Sequence, residues 1–201
     1  MTKIKLCGLS RPIDIETANE LKPDYIGFVF APKSRRYVTE EAAAKLKQLL
    51  HPGIAAVGVF VNEAPETVAR LLDRGIIDIA QLHGRENEDY ISELRALTDK
   101  PLIQAFRIER EQDILAAEKS SADYVLLDSG DGGTGTVFDW SLLQSVQRPY
   151  FLAGGLNPGN VQAALNICNP YAVDVSSGIE TEGVKDKRKM QAFVCAVRAA
   201  K

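Results

Sequence analysis

Three reactive side chains stand at the ends of expected strands: Cys7 after the alternating Lys3–Leu6, His83 after Asp78–Leu82, and Asp128 after Tyr124–Leu127. A thiol and a carboxylic acid can serve as general base and general acid when their pKa values are pushed in opposite directions. Asp128 follows Tyr-Val-Leu-Leu, so it is expected at the edge of an apolar core, where desolvation favours the protonated form. Its other reading is a loop-capping Asp for the glycines that follow. Cys7 reads either as a small buried hydrophobe or as a functional thiol. Arg36, in the polar loop after Tyr25–Phe30, could hold a carboxylate through its planar fork, with Arg35 as a competitor. His83 could bind a ligand or hydrogen-bond its own loop. Asp174 precedes Ser176 by two residues, and an inward carboxylate there needs partners, either sugar hydroxyls or a neighbouring strand.

A second chemistry comes from backbone rather than side chains. Tyr150–Ala153 runs into Gly154-Gly155, and Tyr171–Val175 runs into Ser176-Ser177-Gly178. Two turns with exposed N–H groups, one β/α unit apart, suit a phosphate. Asn157-Pro158 is the expected start of the helix between them. The loop over 130–136, with Gly133 and Gly135, could be a lid, a further phosphate cradle or a plain connection.

These residues need elements to position them. Strand ends are expected at Cys7, Phe30, Phe60, His83, Phe106, Asp128, Gly154 and Ser176, spaced about 22 to 30 residues apart, one β/α unit each. Helical patterns separate them. Ser10 is expected to cap a helix over 11–21, and Thr39 one whose Leu46, Leu49 and Leu50 share a face. Pro65 opens a helix with Val68, Leu71 and Leu72 on one face; Ile91, Leu94 and Leu97 mark the next, and Ile114 with Leu115 a shorter one. Asp139 can cap a short helix over 140–145, and the last helix starts near Asp186 and buries Met190, Phe193, Val194 and Val197. Eight strands alternating with helices imply a lean, all-parallel (β/α)8 barrel occupying residues 1–201 as a single domain. An open doubly wound sheet is the alternative; the absence of Gly-x-Gly-x-x-Gly after the first strand counts against it.

Composition narrows the partners. The 201 residues carry a net charge of −3, so no global basic field attracts nucleic acid. No apolar run approaches the length of a membrane span, and the first ten residues lack the apolar segment of a signal peptide. The three cysteines, at 7, 168 and 195, fit neither metal spacing nor a disulfide framework, which agrees best with a reducing cytoplasm.

The ordered set Lys5-Leu6-Cys7-Gly8, Gly27–Phe30, Lys33–Tyr37, Val57–Phe60, Gln81-Leu82-His83-Gly84, Leu127-Asp128, Gly132–Gly135, Leu152–Pro158 and Val173–Glu180 resembles the phosphoribosylanthranilate isomerase family over nearly the whole chain. One conservative departure is Leu6, where the family often has Ile. The resemblance implies a (β/α)8 barrel of tryptophan biosynthesis that uses no metal or organic cofactor. It implies Cys7 as general base and Asp128 as general acid. Arg36 would hold the anthranilate carboxylate, and His83 and Asp174 would line the sugar and aromatic portions. Phosphate would be held by Gly133 and Gly135, Gly154 and Gly155, and Ser176, Ser177 and Gly178. The expected partner is therefore a phosphosugar–anthranilate small molecule.

Other readings of the same barrel are weaker. A two-aspartate isomerase would not place Cys7 at the end of strand 1. A metal-dependent epimerase would want His and Asp at strand ends, and the chain has two histidines. An aldolase would need a Schiff-base lysine inside the barrel, and none is expected in the strands. A non-catalytic phosphate-ligand sensor would be expected to lose the acid or the base.

Overall fold

The computed structural model of the chain describes residues 1–128 and 140–200. Eight parallel strands close on themselves in chain order: β1 (Lys3–Cys7), β2 (Tyr25–Val29), β3 (Ala55–Phe60), β4 (Ile79–Leu82), β5 (Leu102–Arg107), β6 (Tyr124–Asp128), β7 (Tyr150–Ala153) and β8 (Ala172–Val175), with β8 pairing back onto β1. The helices α1 (Pro12–Leu21), α2 (Glu40–Leu49), α3 (Pro65–Asp73), α4 (Glu88–Arg95), α5 (Glu111–Glu118), α6 (Val161–Ile167) and α7 (Lys187–Ala199) connect or follow them. The crossover between β6 and β7 contains a 3₁₀ turn over Trp140–Ser145. The alternation of strands and helices is thus the expected barrel, and closure rules out the open sheet. A two-stranded hairpin not anticipated from the sequence, β9 (Glu180–Thr181) with β10 (Val184–Lys185), lies between β8 and α7.

Strand alternation sorts the side chains into two layers. One set of each strand packs against the helices: Ile4, Leu6, Ile26, Phe28, Phe60, Leu127, Leu152, Val173 and Val175 join Ile15, Leu71, Leu94 and Phe193 in the outer core. The other set fills the barrel, where Tyr25, Val57, Ile79, Ile103, Leu126 and Phe151 form an apolar plug. Above that plug the same inward parity brings Lys5 and Cys7 of β1, Gln81 of β4, Asp128 of β6 and Asp174 of β8 to the C-terminal half. The fold positions the chemistry by this parity.

Several local expectations change once the elements pack. Ser10 is not the cap of α1; Asp14 in the first turn accepts from the backbone N–H groups of Ser10 and Arg11 instead. Thr39 caps α2 as expected, accepting from Ala42. Leu49, Leu97 and Leu115 are exposed, because the faces that meet the barrel are set by Ala43 and Leu46, Ile91 and Leu94, and Ile114 and Ala117. Helix α6 begins at Val161 rather than at Pro158. The Asn157 side chain accepts from Gly159 N–H at 2.8 Å, closing a local turn that delays the helix by three residues. The Asp139 cap, like Gly133 and Gly135, lies outside the described residues. Among the described residues no helix is long and apolar enough to cross a membrane.

Candidate active site

At the C-terminal ends of the strands is a cavity of about 300 Å³ whose lining includes Cys7, Arg36, Gln81, His83, Asp128, Gly154, Gly155, Asp174, Ser176 and Ser177. That size is at the lower end for small-molecule pockets, about 300–1,000 Å³. A larger cleft of about 810 Å³ opens elsewhere, between the starts of β7 and β8, the 3₁₀ turn and the end of α7. None of the candidate residues lines it, so the smaller cavity is the candidate site.

Cys7 ends β1 and is 8 % exposed. Gly27 on β2 makes room for it: a Cβ there would lie 2.7 Å from the Cys7 sulfur. Burial pushes the thiol up from its ordinary value; the charge of Lys5 pulls it down, Asp174 pushes it up again, and Lys185 pulls it down. Both readings of Cys7 meet here, a small side chain buried at the strand end and a thiol facing the cavity. In the unliganded protein Cys7 is held as a thiol, and cationic side chains supply the opposing pull.

Asp128 ends β6, three strands from β1 around the barrel, and keeps 29 % of its side chain exposed. His83 faces it, with Nε2 3.8 Å from Asp128 Oδ2. Behind His83 is a buried polar chain that sequence reading missed. Lys5, with no exposed surface, donates to Asp174 Oδ2 at 2.6 Å and to Gln81 Oε1 at 2.8 Å. Gln81 Nε2 is 2.8 Å from His83 Nδ1. Lysine only donates, so it fixes the Gln81 carbonyl toward itself and the amide NH2 toward His83. Nδ1 therefore accepts, and the ring carries its proton on Nε2, the nitrogen that faces Asp128.

Lys5 also overturns the expectation that the strands carry no lysine inside the barrel. The signal was available: β1 alternates, and the parity that turns Cys7 inward turns Lys5 inward too. Burial works against its ammonium, yet Asp174 and Cys7 together hold its pKa above the ordinary value. A protonated, ion-paired lysine is not a Schiff-base nucleophile, so the aldolase reading gains nothing from it.

Arg36 reaches the cavity across the turn that follows β1; a Cβ on Gly8 would lie 2.5 Å from the Arg36 Cδ. Its fork is not bare. Nε and Nη2 donate to the two oxygens of Glu180 at 2.6 and 2.9 Å. With two of the five guanidinium N–H donors engaged among the described residues, the end-on edge around Nη1 can take a carboxylate. Arg35 joins Glu180 from the outside at 2.8 Å. Lys185 Nζ binds Glu180 Oε1 at 2.6 Å and the Ser176 carbonyl at 2.8 Å. Burial alone would push the Glu180 carboxyl up, but hydrogen bonds from Arg36 and Lys185 and their charges win and hold it below its ordinary value of 4.5. Its stabilisation is therefore complete above about pH 4.5 and is lost as pH falls through the lower folded value. The difference in Tm between wild type and Glu180→Gln should be constant near neutral pH and should narrow on acidification below that point. A difference that widens there would contradict the assigned sign.

The two glycine turns meet. Gly154 and Gly155 have φ of 90° and 62°, and among the described residues no hydrogen bond uses the backbone N–H of Gly154, Gly155, Ser177 or Gly178. Gly178 packs against the preceding turn so closely that a Cβ there would lie 1.9 Å from the Leu156 carbonyl oxygen. The Ser176 hydroxyl is committed elsewhere, donating to the Cys7 carbonyl at 3.2 Å and so fastening the turn after β8 to the end of β1. Donors with no partner among the described residues, at the rim of the cavity, can receive an anion. Among the described residues no three His, Cys, Asp or Glu side chains converge on a point where a metal ion could sit.

Structure thus brings together every described candidate: Cys7, Arg36, His83, Asp128, Asp174, Gly154, Gly155, Ser176 and Ser177 line one cavity, with Gly178 directly behind. Comparison with known proteins gives the family. Residues 4–196 match the family model described as N-(5′-phosphoribosyl)anthranilate (PRA) isomerase. An N-(5′-phosphoribosyl)anthranilate isomerase of a Thermoanaerobacter species is 46 % identical over 204 residues, covering 98 % of each chain. The crystal structure of phosphoribosyl anthranilate isomerase from Thermotoga maritima superposes with a TM-score of 0.90 at 36 % identity, covering 98 % of this chain and 99 % of the other. A second such structure, in complex with reduced 1-(o-carboxyphenylamino)-1-deoxyribulose 5-phosphate, has a TM-score of 0.88 at 35 % identity and the same coverage. The chain belongs to the N-(5′-phosphoribosyl)anthranilate isomerase family.

Proposed function

We propose that this protein catalyses the Amadori rearrangement of N-(5-phosphoribosyl)anthranilate to 1-(2-carboxyphenylamino)-1-deoxyribulose 5-phosphate, a step of tryptophan biosynthesis. The observation that carries the reading is the pairing, in one cavity, of a thiol on β1 with a carboxyl on β6, beside two turns whose N–H groups have no partner among the described residues.

Asp128 delivers a proton to the furanose ring oxygen as the C1′–O bond breaks, while the anthranilate nitrogen supplies the electron pair that makes the C1′ iminium. Cys7, having lost its proton to solvent on substrate binding, then takes the C2′ proton as a thiolate. The electrons of that C–H bond form the C1′–C2′ double bond and neutralise the nitrogen, giving an enolamine. Tautomerisation, with loss of the O2′ proton and gain of one at C1′, yields the ketone. Asp128 and Cys7 approach the sugar from nearly opposite sides of the barrel, as two successive proton transfers require. The turns at Gly154-Gly155 and Ser177-Gly178 hold the phosphate, and the free edge of Arg36 holds the anthranilate carboxylate. Asp174 Oδ1 is buried with no hydrogen-bond partner among the described residues, and accepts from a sugar hydroxyl. His83, oriented by Gln81, lies against Asp128 and the sugar.

The test is direct. The purified chain is added to freshly prepared phosphoribosylanthranilate, and conversion is followed by absorbance and fluorescence against spontaneous decay. Loss of substrate faster than decay, with appearance of the ketose, supports the reading. No acceleration by a folded chain that still binds the product's reduced analogue would overturn it.

A further inference from the structure

The most deeply buried charge in the barrel takes no part in the proton transfers above. Lys5 has no exposed surface, and its ammonium is anchored by Asp174 at 2.6 Å and Gln81 at 2.8 Å. Buried ion pairs seldom stabilise a protein beyond apolar side chains of equal volume. The interior layer below is filled by such side chains, among them Val57, Ile103 and Phe151. Stability therefore gives no reason for an ammonium at this level. Its location does: strand alternation sets Lys5 and Cys7 on the same inner face of β1, two residues apart, and both anchors of Lys5 line the cavity that Cys7 lines.

We propose that Lys5 is a positioning residue for Cys7: its ammonium, pinned by Asp174 and Gln81, is the fixed positive charge against which the Cys7 thiolate forms. The proposal deepens the assignment of Cys7 as base and rests on it. The charged groups facing Cys7 are Lys5 on the same strand, Asp174 on β8, Lys185 on β10 and Arg36 from the loop after β2. Arg36 and Lys185 both share Glu180, and burial lowers the pKa of Lys185 despite that partner. Among the cations, Lys5 exerts the strongest downward pull on the thiol, and it stays protonated while doing so.

The experiment measures Cys7 ionisation without turnover. Full-length wild type and Lys5→Met are treated with iodoacetamide across a pH series, and alkylation is read at the Cys7-containing peptide by mass spectrometry, which separates it from Cys168 and the exposed Cys195. Removing a charge at this range should raise the Cys7 midpoint and slow its alkylation at pH 8 by about tenfold or more. The acid limb of kcat/KM should move to higher pH by the same amount. Should Lys5→Met not give folded protein, Lys5→Gln keeps a hydrogen-bonding amide beside Asp174 while removing the charge, and the same shift is expected. A folded neutral variant whose Cys7 alkylates at the wild-type rate at every pH overturns the proposal. Failure of the underlying reading looks different: alkylation shifts as expected, but Cys7→Ala turns over normally.

Discussion

Cys7→Ala and Asp128→Asn should each lower kcat by about 10²- to 10⁴-fold, the range contributed by a single positioned acid or base, while affinity for the reduced product analogue stays within about threefold of wild type. Each change removes one proton transfer and little else. Asn is isosteric with Asp, keeps the place at the end of β6, and cannot protonate the ring oxygen. Ala leaves only the volume of a sulfur atom empty beside Gly27. Neither side chain belongs to the glycine turns or to the Arg36–Glu180 cluster, so the two ends of the substrate remain held. Stopped-flow fluorescence on each variant, with product-analogue titration alongside, separates the two quantities. Near-normal kcat in one variant would remove that residue from its role. A loss confined to KM would make it a binding group. Because the steps are successive on one substrate, the double variant should cost less than the product of the two single losses.

Gly178→Ala should cost more affinity than any other single-methyl addition to the site. The new Cβ would stand 1.9 Å from the Leu156 carbonyl oxygen and 2.9 Å from the Leu156 carbonyl carbon and the Asn157 Cβ. Two of these three neighbours are backbone atoms of the adjoining turn, so the clash cannot be relieved by a side-chain rotation. The turns must part, and a displacement of about 1 Å at a positioned group can cost about 100-fold in rate. Overpacking of this kind destabilises by about 1–3 kcal/mol. The expected result is a KM raised by about tenfold or more together with a lower Tm. Gly155→Ala is the control. Nothing lies within 4 Å of its Cβ position, but its φ of 62° penalises any side chain by about 1 kcal/mol, so it should lose stability with a smaller rise in KM. Equal KM values for the two variants would mean that contact between the turns does not shape the anion site.

How far the sequence foretold this protein depends on the range of the interactions concerned. Strand ends at Cys7, Phe60 and Asp128 are strand termini, and Phe30, His83, Gly154 and Ser176 follow one residue after theirs. These are readable because apolar runs and glycine turns are local signals, and because a repeat of one strand and one helix has few ways to close. Caps were readable where one side chain decides, as at Thr39 and Asp186. At Ser10 a competing carboxylate four residues on took the backbone donors instead.

What the tertiary structure decided lies in contacts between distant parts of the chain. Lys5 and Asp174 are 169 positions apart and become partners only when β8 closes onto β1 in the register that sets these two residues opposite each other. Arg36 and Glu180, 144 apart, meet because the hairpin after β8 folds over the loop after β2. In sequence Lys5 is one cation in a polar start and Arg36 a bare fork in a loop. Closure buries the first and engages the second, because a charge withdrawn from water is tolerated only with a partner, and the nearest carboxylates come from strands that the chain reaches last. Residue types and their parity were legible in the sequence by itself, since alternation is a property of each strand alone. Ionisation, hydrogen-bond direction and the free edge of Arg36 were decided by barrel closure, since each depends on which charge is brought within reach across the barrel.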